Sequence, residues 1–260
     1  MVRTIDHSVN SVRIQKNPET AIRAASKAAK AAPARRRMGV VERERQILDG
    51  AIAFFAEHGF DGQLRDLAKS IGVTHALLYH YFPTKQALVD RVYLEVFEGR
   101  WRPEWEQLLD DPAVSAEDKL TAFYAEYVNI TLSKAFVRIL VFSGLTDHSI
   151  TDRFFALIRA RLFPRLIRET RRYRGVVSRA RPSEREMELL MGLHGGFFYM
   201  TMRRWIYAQD VYSERQHEDY SEDLVRDRVR AYLIASRELF AVPQPSRATR
   251  SAKGRAAPRP

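Results

Sequence analysis

Residues 66–88 read DLAKSIGVTHALLYHYFPTKQAL. Leu67, Ala68 and Ile71 recur at helical spacing, and Gly72 can adopt the left-handed conformation that closes a helix. Thr74 stands where a side-chain cap opens the next helix, so the stretch predicts helix, turn, helix. The second helix spans about 74–82, roughly two turns, with Leu78 and Phe82 as its apolar face. His75, Ala76, Leu77, Tyr79 and His80 are left to meet a partner. A short helix of this kind suits the major groove of DNA. Its N-terminal amides and dipole favour phosphate while its side chains reach base edges. Pro83 and Thr84 start a further helix, where Lys85 adds a cation beside such amides.

Upstream, Ile47, Leu48, Ala51, Ile52, Phe54 and Phe55 repeat at three and four residues until Gly59 stops the pattern, which predicts a bracing first helix. Downstream, Leu88, Val89, Val92, Tyr93, Val96 and Phe97 continue a fourth helix from Lys85. Gly99 and Pro103 disturb it, and Asp110-Asp111-Pro112 ends it. Ser115 and Asp118 stand at capping-box spacing before a helix that buries Leu120, Phe123, Tyr124, Tyr127 and Val128. A short apolar helix at about 135–145 is followed by a longer one at 151–173, kinked at Pro164, with Phe154, Phe155, Ile158, Leu162, Leu166 and Ile167 inward. Ser183 and Glu186 open a helix at 184–208, and a last helix at 221–240 carries Val225, Val229, Tyr232, Leu233 and Phe240. The reading contains no strand and no repeat, so the chain is expected to be all-α.

The segment 45–90 resembles the TetR family of bacterial one-component repressors. The matching residues are Phe54, Gly59-Phe60, Leu67-Ala68, Gly72-Val73-Thr74, Leu78-Tyr79, Tyr81-Phe82, Lys85 and Leu88. The resemblance implies that the second helix of the turn enters the major groove, with Tyr79 and Lys85 on phosphates. His75, Ala76, Leu77 and His80 would then read bases, with Arg65 and Thr74 as further DNA contacts. It also implies a homodimer on a palindromic operator, released by a small-molecule effector in the C-terminal domain. This chain departs from the family pattern in two places. The loop Asp61-Gly62-Gln63-Leu64 is one residue shorter than usual and lacks the common threonine cap. Leu77 replaces a small or hydroxyl residue, so it packs or meets a thymine methyl.

At 260 residues the chain can bury a substantial core, and two domains are expected. The expected division is a basic disordered arm (1–37), a helix-turn-helix DNA-binding domain (38–90), a helical ligand-binding and dimerisation domain (91–242) and a basic disordered tail (243–260). The net charge of +11 lies in the ends: residues 1–37 contribute +7 and residues 246–260 contribute +5. Residues 38–90 hold five basic and seven acidic side chains, so attraction to DNA must be local or borrowed from the arm. Lys27, Lys30 and Arg35-Arg36-Arg37 could lie along the DNA backbone or in a minor groove, or form only a solvated tail. The absence of cysteine excludes disulfides and thiolate metal sites and fits a cytoplasmic protein. The longest weakly charged stretch, 189–202, is too short to span a bilayer, and no compact apolar export signal is read at the N-terminus.

Three constellations compete with plain packing. Gly192, Gly195 and Gly196 interrupt a strong helix at a cost of roughly 1 kcal/mol each, which close approach of a second subunit would offset, with Val225 and Val229 of the last helix completing the interface. Tyr124, Tyr127, Phe142, Phe155, His194 and Phe198 could line an apolar effector pocket or form ordinary core. Arg161, Arg165, Arg168 and Arg172 form one stripe, read as a solvated face in preference to a mouth for an anionic ligand. Seven scattered histidines, with no nucleophile elbow and no phosphate loop, argue against an enzyme, a cofactor or a metal site. The rival to a sequence-specific regulator is an architectural protein whose basic tails bind DNA without sequence choice.

Overall fold

The computed structural model describes residues 38–209 and 219–241, and all of the secondary structure among them is helical. The chain parts into two units, Met1–Arg43 and Glu44–Pro260, and the account below concerns the second. The expected arm at 1–37 and tail at 243–260 lie outside the described residues. Four helices make the N-terminal part: α1 (Val40–His58), α2 (Leu64–Ser70), α3 (His75–Tyr81) and α4 (Lys85–Val96). The body follows with α5 (Pro103–Asp110), α6 (Ala116–Glu126), α7 (Lys134–Gly144), α8 (Ser149–Arg161), α9 (Phe163–Tyr173), α10 (Glu184–Trp205) and α11 (Glu222–Leu239). The expected boundary at 90/91 falls inside α4, which runs unbroken from the N-terminal helices into the body.

Ile47, Leu48, Ala51 and Phe55 of α1 are fully buried and continuous with Leu67, Leu78 and Leu88. In the body, α6 is the central rod, packed on α5, α9 and α11. Its last turn widens into a π turn at Tyr127–Thr131. At its start the expected capping box is only half formed. Ser115 Oγ accepts the Asp118 N–H at 3.1 Å and donates to the Asp118 carboxylate at 2.7 Å, because aspartate is too short to reach back to the cap backbone. At α10 the box is complete, with Ser183 and Glu186 satisfying one another's backbone N–H.

Two helices expected to be continuous are not. α4 stops at Val96, and a 3-10 turn at Glu98–Arg100 separates it from α5. A Cβ at Gly99 would sit 2.7 Å from the Leu94 carbonyl oxygen, so only glycine permits this tight exit. The expected kinked helix at 151–173 is two helices, parted at Leu162, with Pro164 in the first turn of α9. Proline lacks the N–H that a helix interior needs but a first turn does not, so the break precedes it.

The arginine stripe, which runs from Arg161 at the end of α8 along α9, is partly exposed but engaged in ion pairs. It forms an ion ladder to α5 and its neighbours: Arg161 and Arg165 bond Glu106 at 2.9 and 2.6 Å, Arg168 bonds Asp110, and Arg172 reaches Glu169 at 3.4 Å. Beneath it lies a buried pair. Lys119, fully excluded from solvent, donates to Glu169 at 2.7 Å and to the Leu109 carbonyl at 3.1 Å. At the other end of α9, Arg171 and Arg174 converge on Glu186 at 2.8 and 2.6 Å, and the Arg171 hydrogen bond holds that carboxyl down to about 2.

Candidate nucleic-acid interface

α2 closes with two hydrogen bonds that bend the chain toward α3. The Gly72 N–H reaches the Lys69 carbonyl at 3.2 Å and the Val73 N–H reaches the Ala68 carbonyl at 2.9 Å, with Gly72 at φ +69°. This pairing needs a left-handed residue between helix and exit, which is why glycine stands there. The turn leads directly into the Thr74 cap, whose Oγ1 accepts the Leu77 N–H at 3.1 Å. Leu78 and Phe82 then anchor α3 in the core.

The opposite face of α3 is open. Thr74, His75, Ala76, Tyr79 and His80 are exposed, and Leu77 is half-buried. His75 and Tyr79 meet edge to face with centroids 4.7 Å apart, one turn apart on the helix, so the two rings brace each other. Arg65, His75, Tyr79 and Lys85 line one groove of about 340 Å³ with Asp61, Gly62, Gln63 and Leu64. Four of the residues expected to touch DNA therefore share a single concave edge, although they come from three helices.

Lys85 has a second task that the sequence does not announce. Its ammonium donates to the Phe60 carbonyl and to the Gly62 carbonyl at 3.3 Å, which ties the short loop before α2 to the start of α4. The loop has no side-chain cap at Gln63, as its sequence predicts, and Lys85 supplies the tether from outside. An ammonium has three donors, so a phosphate oxygen at the groove can take the one not spent on the loop.

The remaining expected residues divide. Tyr124, Tyr127 and His194 come together in the body: Tyr127 Oη and His194 Nε2 lie 3.5 Å apart, Tyr124 stacks on Phe197 at 4.5 Å, and Phe163 closes on His194 at 5.3 Å. Burial drives the His194 pKa down to about 4, so the imidazole is neutral at neutral pH. Tyr124 Oη and His194 Nδ1 are buried without a hydrogen-bond partner, and burial raises the pKa of both tyrosines. Phe142 does not join this cluster, because its ring packs against Gly59 at the other end of α7. Phe155 and Phe198 are half-buried, and Phe155 meets Phe154 instead.

Of the expected subunit contacts, Gly192 and Gly196 lie exposed on α10, with Gly195 half-buried. Among the described residues a Cβ at any of the three would meet nothing within 4 Å, so no described neighbour in the same chain requires glycine there. Val225 and Val229 are different: both have no exposed surface, because their face of α11 packs on α6. They belong to the protomer's own core and offer nothing to a second subunit. The exposed apolar residues in this region are Tyr199 on α10 and Ile234 and Leu239 on α11.

Residues 47–92 match the family described as bacterial regulatory proteins, tetR family. Over 47 residues the chain is 40% identical to the biofilm operon icaADBC HTH-type negative transcriptional regulator IcaR of Staphylococcus aureus. Over the same length it is 47% identical to the HTH-type transcriptional repressor Rv1474c of Mycobacterium tuberculosis. Each match covers 18% of this chain and 25% of the relative, so the chain spans about a quarter of the length of the curated relatives it matches. A putative transcriptional regulator from Pseudomonas aeruginosa PAO1 shares the fold with a TM-score of 0.56 at 18% identity, over 78% of this chain and 96% of that one. PfmR, a TetR family transcriptional regulator from Thermus thermophilus, does so with a TM-score of 0.51 at 22% identity, over 72% and 97%.

Proposed function

We infer, from the match of residues 47–92 to the tetR family of bacterial regulatory proteins, that the chain is a homodimeric, effector-responsive repressor that binds a palindromic operator in the cytoplasm. The observation that carries the reading is the α2–turn–α3 unit, whose exposed face and adjoining groove gather Arg65, His75, Tyr79 and Lys85 at one edge. In this reading α3 enters the major groove. Tyr79 and Lys85 hold phosphates, and His75, Ala76, Leu77 and His80 face base edges. Leu77 has no hydrogen-bonding group and favours a thymine methyl. No described helix is long and apolar enough to cross a membrane.

The same reading assigns the second subunit to the open face of α10. Gly192, Gly196 and Tyr199 fall in one row, and among the described residues the glycines have no partner within the protomer that would explain them. The effector is assigned to the Tyr124, Tyr127 and His194 cluster. Two buried polar atoms without a partner among the described residues, each left unpaired at about 1–3 kcal/mol, are groups that a ligand could satisfy. An effector acts here by binding the DNA-free arrangement more tightly than the DNA-bound one, typically by 1–3 kcal/mol.

Selection from random DNA identifies the operator, and salt-matched competition against unrelated DNA tests the reading. Comparable affinity for both would favour the architectural alternative in which basic ends bind any sequence. Two further outcomes follow. Lys85→Ala is expected to weaken binding to all sequences alike and to lower the slope of log K against log salt by roughly one unit. An unchanged slope with an intact fold would confine Lys85 to its tether. Deleting residues 1–37, which removes seven net positive charges, is expected to reduce non-specific affinity and its salt dependence while leaving helix content intact. Unaltered binding at low salt would make that segment a solvated tail.

A further inference from the structure

We propose that Arg138 is a positioning residue that fixes the angle of the DNA-reading helices against the body and thereby selects the spacing between operator half-sites; this rests on the dimer reading above. Only α4 passes covalently between the two parts. Its first half is buried with the reading helices through Leu88, and its second half is held in the body, where Phe97 packs on Phe136 and Phe154 at 4.5 and 5.7 Å. A rod held along one axis leaves rotation about that axis free. A second attachment away from the axis is needed to stop it.

Arg138 provides that attachment from α7. Its guanidinium donates to the carbonyls of Ala56 and, at 3.4 Å, Glu57, and lies 3.6 Å from the Glu57 carboxylate. These carbonyls belong to the last turn of α1, where a helix leaves its acceptors without internal partners and its dipole favours a cation. One side chain thus satisfies two orphan acceptors on a different element. One turn further along α7, the Phe142 ring presses on Gly59, where φ is +70° and a Cβ would approach the ring to 3.0 Å. Arg138 also lies 5.7 Å above that ring, so the clasp and the wedge form one unit.

Arg153 supplies a built-in comparison. It reaches from α8 to Asp90 at 2.7 Å and sits 3.7 Å over the Tyr93 ring, but both partners are on α4 itself. Removing it weakens the rod's seating without freeing rotation about it. In a two-fold dimer the readers stand about one helical turn of DNA apart, and one base pair added between half-sites shifts the second by about 3.4 Å and turns it about the helix axis. A reader locked in angle tolerates that poorly. One free to rotate follows it.

The test uses the full chain and the selected operator, with sets in which one or two base pairs are inserted or removed between the half-sites. The unaltered protein is expected to lose about a hundredfold in affinity on a one-base-pair change. Arg138→Gln is expected to bind the original operator more weakly and to lose less than about tenfold across the set, whereas Arg153→Ala keeps the steep profile. Arg138→Lys retains a cation but lacks the planar fork of the guanidinium, so its profile should be intermediate, and it carries the test if the glutamine variant does not fold. A steep profile for both Arg138 variants would reduce the clasp to an ordinary stabilising contact and overturn the proposal. A footprint of a single half-site would instead overturn the dimer reading, and this proposal with it.

Discussion

Gly196→Leu should give a monomer that keeps its helices and loses operator affinity by on the order of a thousandfold, the gap that commonly separates specific from non-specific binding. Among the described residues of one chain the substitution has room, because a Cβ at Gly196 meets nothing within 4 Å and the residue is exposed. Helix propensity improves by roughly 1 kcal/mol. Any loss of assembly must therefore come from a second copy that approaches too closely for a branched side chain. Sedimentation over a range of concentrations, read beside circular dichroism, checks this. A variant that stays dimeric with unchanged helicity would move the interface away from the glycine row.

Glu169→Ala should destabilise the body by about 3–5 kcal/mol, the usual result of stranding one member of a buried ion pair. Lys119 has no exposed surface, and with Glu169 gone its ammonium retains only the Leu109 carbonyl. Arg168 and Arg172, each 3.4 Å from the same carboxylate, would lose a partner too, but their exposed heads can turn to water. Replacing both members, as Lys119→Met with Glu169→Gln, should recover most of the loss, since no buried charge is then left unpaired. Urea unfolding at one protein concentration and constant m-value measures both. A single variant within about 1 kcal/mol of the parent would mean that the ammonium finds water.

The DNA-reading unit was legible because its signals are local. Gly72 and Thr74 act on neighbours three or four residues away, and both form the bonds their spacing predicts. The break at Leu162 was not legible, because Leu162 stays buried and the apolar period runs on across it while the hydrogen-bond ladder does not. The arginine stripe was visible as a row but not as a ladder, since its partners Glu106 and Asp110 lie more than fifty residues earlier. Val225 and Val229 show the limit of periodicity from the other side. An apolar stripe says that a face is covered, not whether the cover is α6 of the same chain or another molecule. A single charge in the apolar run AFVRILVF was the available signal for Arg138, and its carbonyl partners could be found only in three dimensions.

Glu186 caps the start of α10 and at the same time gathers Arg171 and Arg174 from the end of α9. Arg171 also donates to the carbonyls of Ala180 and Arg181 in the intervening segment. One carboxylate thus staples two helix ends directly, through side chains. Covalent continuity through the exposed stretch around Val177 is consequently expected to contribute little to the register of α9 and α10. The molecule has a natural seam there, where new chain ends or an inserted domain could be accommodated while the surrounding packing stays in place.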